Sequence, residues 1–535
     1  MTTYGRPGVY INELPLNTAP INGAAAASAA GAVLGAFAKG PNAVTLVTSW
    51  YEFTKRFGGY NAAYPATFAV GSFFKNGGTE LYVRRILPAN AGTASVAIPI
   101  DHEGSDDLIV LESSNKGADG NNLRVKFTKS GTVRGNDYYD LTVYVEAGVP
   151  GTITGGVVTA GSGDDIIVEQ FNGLVFNDPN SSDFIETVLG YGSSYLTVEP
   201  GSVDITDTYG PVLDTIYPLS GATTDEDDLI ISDYTGDTGE LEVVDAYTVL
   251  AEFDNIDQPL VVFSGDVVKQ LGWTDAQVVY NSMIDWAEAT KKNFIVVETS
   301  AGKSAVQALT EINGLNSSSR AAAYYPHILV RDPLGKSGDA IRKVGPSGAV
   351  AGLFLATDSR IGPFKTPAGI ESKVTDAIAI ERAFTPAELD ALNTGDANDK
   401  NPINAIRNLP GAGIVVMGGR TLKQDGTANR YVSMRRSLIY IEKRLKDLTQ
   451  FALFENNSEL LWDRIVTVLG TFLNEYRNRG GLRGTTTDVS YYVKCDAENN
   501  TPASIANGEV HVEVGVALEY PAEFVVINLS QKTAN

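Results

Sequence analysis

Cysteine is nearly absent from this sequence: Cys495 is the single one in 535 residues. An intramolecular disulfide framework is excluded, and the chain suits a reducing cytosol. Histidine is almost as scarce. His102, His327 and His511 lie far apart, so they form no compact zinc ligand set unless carboxylates join them. Long apolar runs are missing too. The Ala/Gly-rich stretch 24–38 is too short to span a bilayer and has no basic leader apart from Arg6. It reads as a buried strand flanked by small residues, and neither a signal peptide nor stable membrane insertion is expected. Positive charge is missing over one long stretch: residues 135–268 hold no Lys or Arg against 26 Asp and Glu. The whole chain carries a net charge of −23, which argues against a general nucleic-acid binder and favours solubility.

Catalytic patterns are missing as well. Gly302-Lys303-Ser304 and Gly335-Lys336-Ser337 resemble the end of a phosphate loop. That loop needs a glycine five residues before the Gly-Lys pair, where this chain has Val297 and Val330. Gly411-Ala412-Gly413 lacks the third glycine of a dinucleotide fingerprint. Cys495 would need His327 or His511 beside it to act as a nucleophile, and nothing in the pattern brings them together. The many Asp and Glu residues leave a carboxylate-dependent hydrolase with a β-rich accessory domain as the alternative, since sequence does not show a pair's separation. The expectation is a protein that is not an enzyme and holds no cofactor and no metal.

What the chain does contain is patterned apolar material at both ends of a large, ordinary globular composition. Its length predicts about three or four domains. Val510, Val512, Val514, Val516 and Leu518 alternate with polar or small residues, the period of a strand with one buried face. Pro521 interrupts it, and 524–529 reads as a further strand. Strands so placed pair either inside their own fold or with another molecule by β-augmentation. At the other end, Val9-Tyr10-Ile11 stands in a Pro- and Asn-rich stretch that is either a tail or a second arm.

Between the ends, residues 44–47 and 81–86 read as strands and 49–57 and 66–75 as helices stopped by Gly58-Gly59 and Gly77-Gly78. From 88 the composition turns acidic and rich in Gly, Thr, Ser and Val, with short strands at 141–145, 166–168 and 195–198. Its excess carboxylates should face solvent. Asp225-Glu226-Asp227-Asp228 reads as a solvated turn rather than a calcium loop, lacking spaced ligands and a central glycine. From 260 a β-α-β pattern resumes: strands at 260–263, 293–298 and 323–330, a helix through 289 capped by Thr274 and Gln277, and a helix at 303–312. From 403 to 485 the balance reverses to 13 Lys and Arg against 7 Asp and Glu. Met434, Leu438, Ile441, Leu445, Leu448 and Ala452 mark one amphipathic helix. Leu461, Ile465, Val468, Phe472 and Tyr476 mark a second, capped by Asn456 or Asn457. The fold expected is a multidomain α+β or α/β protein. Residues 23–87 and 251–400 make a discontinuous α/β core, and 88–250 an acidic β-rich inserted outer domain. Residues 401–510 make a C-terminal α/β domain, and 1–22 and 511–535 are β-arms.

Several segments resemble one family in order along the chain. Pro7-Gly8-Val9-Tyr10-Ile11-Asn12-Glu13, Phe57-Gly58-Gly59, Phe73-Phe74-Lys75-Asn76-Gly77-Gly78 and Pro346-Ser347-Gly348 are similar to motifs of contractile phage tail sheath proteins. So are Ala351-Gly352, Gly419-Arg420-Thr421, Arg435-Arg436, Glu455-Asn456-Asn457, Leu461-Trp462 and Pro521-Ala522-Glu523-Phe524. His327 and Gly418 depart from it, standing where large aromatics are expected. The resemblance, which extends to sheaths of related injection systems, implies a structural subunit that stacks as rings around a tail tube and contracts to drive the tube through a cell envelope. Its arms would add strands to neighbouring copies through Val9, Tyr10, Ile11, Val512, Val514, Val516, Phe524 and Val526. The implied partners are further copies of the chain, the tube protein, and baseplate and terminator proteins, with no direct nucleic-acid contact. The implied location is a virion tail, assembled in the host cytoplasm. Arg420, Arg435 and Arg436 are candidates either for a basic assembly surface or for ion pairs within the domain.

Overall fold

The structure is a computed structural model that describes residues 29–99, 107–133, 136–146, 152–154, 157–159, 165–199, 202–203, 210–223, 229–236, 248–337, 340–394, 401–423 and 428–523. These residues fall into two compact units. One takes those up to Val33, Phe68–Tyr82 and those from Leu250 on; the other takes Leu34–Thr67 and Val83–Val249.

An eight-stranded sheet contains β1 (Ala30–Ala36), β2 (Thr45–Val47), β3 (Leu81–Ile86), β4 (Leu260–Phe263), β5 (Phe294–Glu298), β6 (Ala321–Tyr325), β7 (Ile403–Leu409) and β8 (Gly413–Val416). Their spatial order is β2-β3-β1-β4-β5-β6-β7-β8. Pairing is parallel from β1 to β7, with Ala30 opposite Leu260, Val261 opposite Phe294, Ile295 opposite Ala321 and Ala323 opposite Ile403. β8 returns antiparallel on β7, with Ile406 opposite Val416. β4, β5 and β6 are buried at every position. That is why they read as unbroken apolar runs: a parallel strand covered on both faces has no solvent side to mark with polar residues. The sheet continues past the boundary expected at residue 400, because β7 pairs directly with β6. The sign change in charge near 403 therefore does not coincide with the end of the core sheet.

Helices between the strands include α1 (Ala66–Lys75), α2 (Val267–Thr290), α3 (Ala305–Ile312) and α4 (Ser347–Arg360). α4 lies directly on α1. A Cβ added at Gly348 would stand 2.1 Å from the Ala69 carbonyl oxygen, and one at Gly352 would stand 2.3 Å from that of Phe73. Two glycines four apart share one helix face, so the backbones touch where any side chain would wedge them apart. α2 breaks at Gly272, whose φ of 75° leaves the helical region, and the Gln277 amide donates to the Gly314 carbonyl (3.0 Å) rather than serving the expected cap. α3 begins as a reciprocal cap between Ser304 and Gln307. Gly302-Lys303-Ser304 is thus a helix start, with Lys303 paired to Glu311 at 3.1 Å. The single strand expected over 323–330 is two. A cis Tyr325–Pro326 bond separates β6 from Ile328–Arg331, which joins Ile341–Val344 and Ala377–Ile380 in a small antiparallel sheet.

The second unit is β-rich, as its composition predicted. Strands Ile166–Leu174, Asn136–Val145, Leu123–Val133 and Ile216–Pro218 form one antiparallel sheet, and Leu196–Val198, Asp107–Ser113 and Ser95–Pro99 another. Both line a core that includes Ile109, Leu111, Val125, Phe127, Leu141 and Val143. A helix, Ile185–Gly192, and the strand Leu123–Val133 were not anticipated. Asp225 to Asp228 and His102 lie outside the described residues. Glu146 is a carboxylate that does not face solvent, and it pairs with the equally buried Arg124. Residues 34–67 fall in this unit, and Arg85 is one reason. Its buried guanidinium donates to the carbonyls of Phe37 (3.0 Å), Ala38 (3.1 Å), Gly40 (2.8 Å) and Lys116 (2.7 Å), tying 37–40 to the loop at 116. Burial pulls its pKa down to about 10, so it remains a cation at neutral pH.

Replacing Gly352 with Val should force α1 and α4 apart and cost roughly 1–3 kcal/mol or more. A lowered urea midpoint at unchanged slope measures the loss. An unchanged midpoint would contradict the backbone contact.

Candidate functional site

The C-terminal body is built on α5 (Val432–Leu448) and α6 (Glu459–Asn478). Tyr440 and Ile441 of α5 meet Phe472, Leu473 and Tyr476 of α6 in one cluster, and Leu461, Trp462, Ile465 and Leu469 form a second with Cys495. The start of α6 differs from expectation. Ser458 occupies the cap, while Asn457 accepts from the Trp462 indole (2.8 Å) and donates to the Glu509 carbonyl (2.9 Å).

Beside the helices lies a two-stranded antiparallel ribbon, β9 (Tyr491–Lys494) and β10 (Glu513–Val516), with Tyr491 opposite Val516 and Val493 opposite Val514. Val510, Val512 and Val514 pack on the second cluster, Val514 and Val516 on the first, and Leu518 bridges to Leu482. The period-two pattern does mark a strand with one apolar face turned inward. Its assignment as an arm needs correction, because Val512, Val514 and Val516 complete their own chain's core. Val9, Tyr10, Ile11, Phe524 and Val526 lie outside the described residues.

Among the described residues the ribbon has no third strand. A groove of about 360 Å³ runs beside β9, lined by Val466, Thr467, Gly470, Thr471, Asn474, Tyr491 and Val493. A Cβ at Gly470 would meet nothing within 4 Å. Among the described residues the buried Asn474 Oδ1 has no hydrogen-bond partner. A short ribbon with open edges, next to a groove containing an unsatisfied acceptor, is suited to receiving an extended backbone.

The three arginines do not make a basic surface. Arg436 is buried and forks onto Asp358 of α4, with Nη1 2.9 Å from Oδ1 and Nη2 on Oδ2, and its guanidinium lies over Phe354. Burial raises the Asp358 pKa against the lowering effect of Arg436. The cavity bordering this pair is about 20 Å³, room for one water. Arg435 is buried and donates to Asn429 (2.9 Å). Arg420 forks onto Glu523, with Nε 2.9 Å from Oε1 and Nη2 2.6 Å from Oε2. Two residues 103 apart in sequence meet here, and neither motif alone signals the other.

The catalytic candidates close off in the same way. Cys495 is buried and its thiol is pushed up to about 11 by burial. His327, held down to about 4 by burial, lies 3.9 Å from Glu381. His511 faces Glu509 at 3.0 Å. Glu298, at the end of β5, accepts the Ser347 N–H (3.0 Å), and burial pushes its pKa up to about 7. A Cβ at Gly345 would fall 2.1 Å from its Oε1, so the carboxyl is walled in by backbone with no space for a substrate. No group of three or more His, Cys, Asp or Glu able to hold a metal occurs among the described residues, and no described helix is long and apolar enough to cross a membrane. Gly418, where an aromatic was expected, has no room for a side chain, since a Cβ would stand 2.7 Å from Asn404 Oδ1.

Residues 424–532 match the family model of the phage tail sheath C-terminal domain. A tail sheath protein of Vibrio phage KVP40 is 26% identical over 196 residues, 36% of this chain and 27% of that protein. A putative prophage major tail sheath protein of Pseudomonas aeruginosa is 24% identical over 229 residues, 41% of this chain and 56% of that protein. The chain thus matches about a quarter of the length of the phage protein and about half of the prophage protein. The sheath tail protein of Listeria innocua superposes with a TM-score of 0.58 at 14% identity, covering 93% of this chain and 96% of that one. The contracted helical sheath of the anti-feeding prophage superposes with a TM-score of 0.56 at 18% identity, covering 99% and 100%. The chain thus matches the phage tail sheath C-terminal domain over residues 424–532, and it is similar to tail sheath proteins over part of its length.

Two substitutions test the buried groups. Asp358→Asn should cost roughly 3–5 kcal/mol in chemical denaturation, because it leaves the Arg436 charge buried without its counter-ion. For Glu298 the folded pKa lies above the unfolded one. Its contribution is therefore present below about pH 4.5 and lost as pH rises through about 7. Glu298→Gln should match the wild type at pH 4.5 and exceed it by roughly 3 kcal/mol at pH 8. A pH-independent difference in melting temperature would contradict this.

Proposed function

We propose that the chain is the structural subunit of a contractile sheath, polymerising with further copies of itself around a tail tube and contracting to drive that tube through a target envelope. The β9–β10 ribbon, with its open edges and the groove beside it, carries this reading. Residues 8–13 and 524–529 of neighbouring copies are the segments that would extend it. Each added strand would make about four to six backbone bonds at roughly 0.5–1.5 kcal/mol net. That is enough to hold copies together while their bodies rotate.

Sheath architecture in the anti-feeding prophage, whose described assemblies include a baseplate and a contracted helical sheath, supports self-assembly and a baseplate partner. A contracted sheath complex of an extracellular contractile injection system has the same fold at a TM-score of 0.53. Tube and terminator partners, a place in a virion tail and assembly in the host cytoplasm belong to the same proposal. The hydrolase alternative finds no support, since the matched relatives are sheath proteins.

Deleting 524–535, or 1–22, should leave a monomer with unchanged circular dichroism and melting that forms no tubes under electron microscopy. Normal tubes from either truncation would refute strand exchange. A cut at 511 is not an equivalent test, because it also removes β10 from the core.

A further inference from the structure

We infer that the Arg420–Glu523 pair is a positioning clamp, which sets where and in what direction the chain beyond Glu523 leaves the body. The inference rests on the sheath reading above, in which that chain must reach a neighbouring copy.

The clamp is prepared from the core side. Arg420 is anchored through its backbone by Asn404 of β7: its N–H donates to Asn404 Oδ1 (2.8 Å), and Asn404 Nδ2 donates to the Arg420 carbonyl (2.8 Å) and to that of Ala323 (3.1 Å). Gly418 leaves Asn404 the space to do this. The Arg420 side chain is aimed by Nη1, which donates to the Asn393 carbonyl (2.8 Å) in the last turn of the helix Pro386–Thr394. Two donors then remain in fork geometry for a carboxylate, and Glu523 meets both. The side chains are only 11% and 17% exposed, so this is not a freely solvated surface pair.

The arriving side has little else to hold it. After the Leu482–Leu518 bridge, Pro521 denies the chain a ladder donor, and no backbone ladder involves 519–523 among the described residues. An edge contact of Tyr520 on Tyr431, with centroids 6.2 Å apart, and the fork at Glu523 are the side-chain anchors. A five-residue tether free of anchors would let its end range over about 12 Å. Fixing residue 523 removes that freedom before a neighbour is met, which raises the effective concentration of the following segment at its receiving site.

Glu523→Gln keeps the size but loses the charge, and Glu523→Lys repels Arg420. Both are made in the full chain, with and without Ala522→Cys carrying a nitroxide label. The clamp predicts a broad, slow-motion spectrum for the labelled wild-type monomer that sharpens in both variants, most in Glu523→Lys. It also predicts a critical concentration for tube formation raised about tenfold or more. An unchanged spectrum would overturn the clamp. A sharpened spectrum with an unchanged critical concentration would overturn its role in assembly. A wild-type chain that never polymerised would sink the sheath reading itself, and the positioning role with it, whatever the label showed.

Discussion

The parallel pairing of β1 with β4, Ala30 opposite Leu260 and Val33 opposite Phe263, is the constraint on which the first unit depends. It joins residues separated by some 230 positions and must be stabilised without local help, since a parallel pair needs a crossover rather than a hairpin. The stabilisation comes from burying both faces. Every residue of β1, β4, β5 and β6 is buried. Helices must therefore lie close over the sheet, and residue size becomes critical. At Gly31 a Cβ would stand 2.6 Å from the Phe73 ring, and Gly348 and Gly352 bring α4 against α1 in the same way.

α4 also links this core to the C-terminal body. Asp358, near its end, takes the fork of Arg436 from α5, and both side chains are nearly inaccessible. A buried pair of this kind contributes little net stability relative to apolar packing, but it penalises any arrangement that separates its members. The orientation of α5 relative to the sheet is set by a contact that fails if α5 rotates. α5 in turn positions α6 and the ribbon. The part of the molecule suited to receiving another chain is thus carried on the best-determined part of the fold.

The ribbon itself is short: two such strands are marginal alone, one face is covered by α5 and α6, and among the described residues no further strand joins its edges. An open edge offers main-chain hydrogen bonds, which tolerate changes in body orientation better than packed side chains do. Val512 to Val516 are committed to their own core. Beyond them Pro521 ends the ladder and Glu523 reaches Arg420.

Periodicity and turn chemistry were legible without coordinates wherever they are local. Ser49 and Gly58 bound the helix Trp50–Phe57 as read, and the alternation from Val510 to Leu518 marks a strand with one inward face. Three things were decided only in the folded molecule. The alternation at 510–518 says which face is buried but not whose core buries it, because period two is the same for an internal strand and an exchanged one. Arg420, Arg435 and Arg436 read equally as a basic surface or as ion pairs within the domain, since sequence does not show that Asp358 and Glu523 come to meet two of them from 78 and 103 residues away. β7 lies beyond the apparent end of the core, and only its register with β6 includes it. In each case the sequence states a residue's own preference, while the outcome depends on which distant residue reaches it first, and that is a property of the tertiary structure alone.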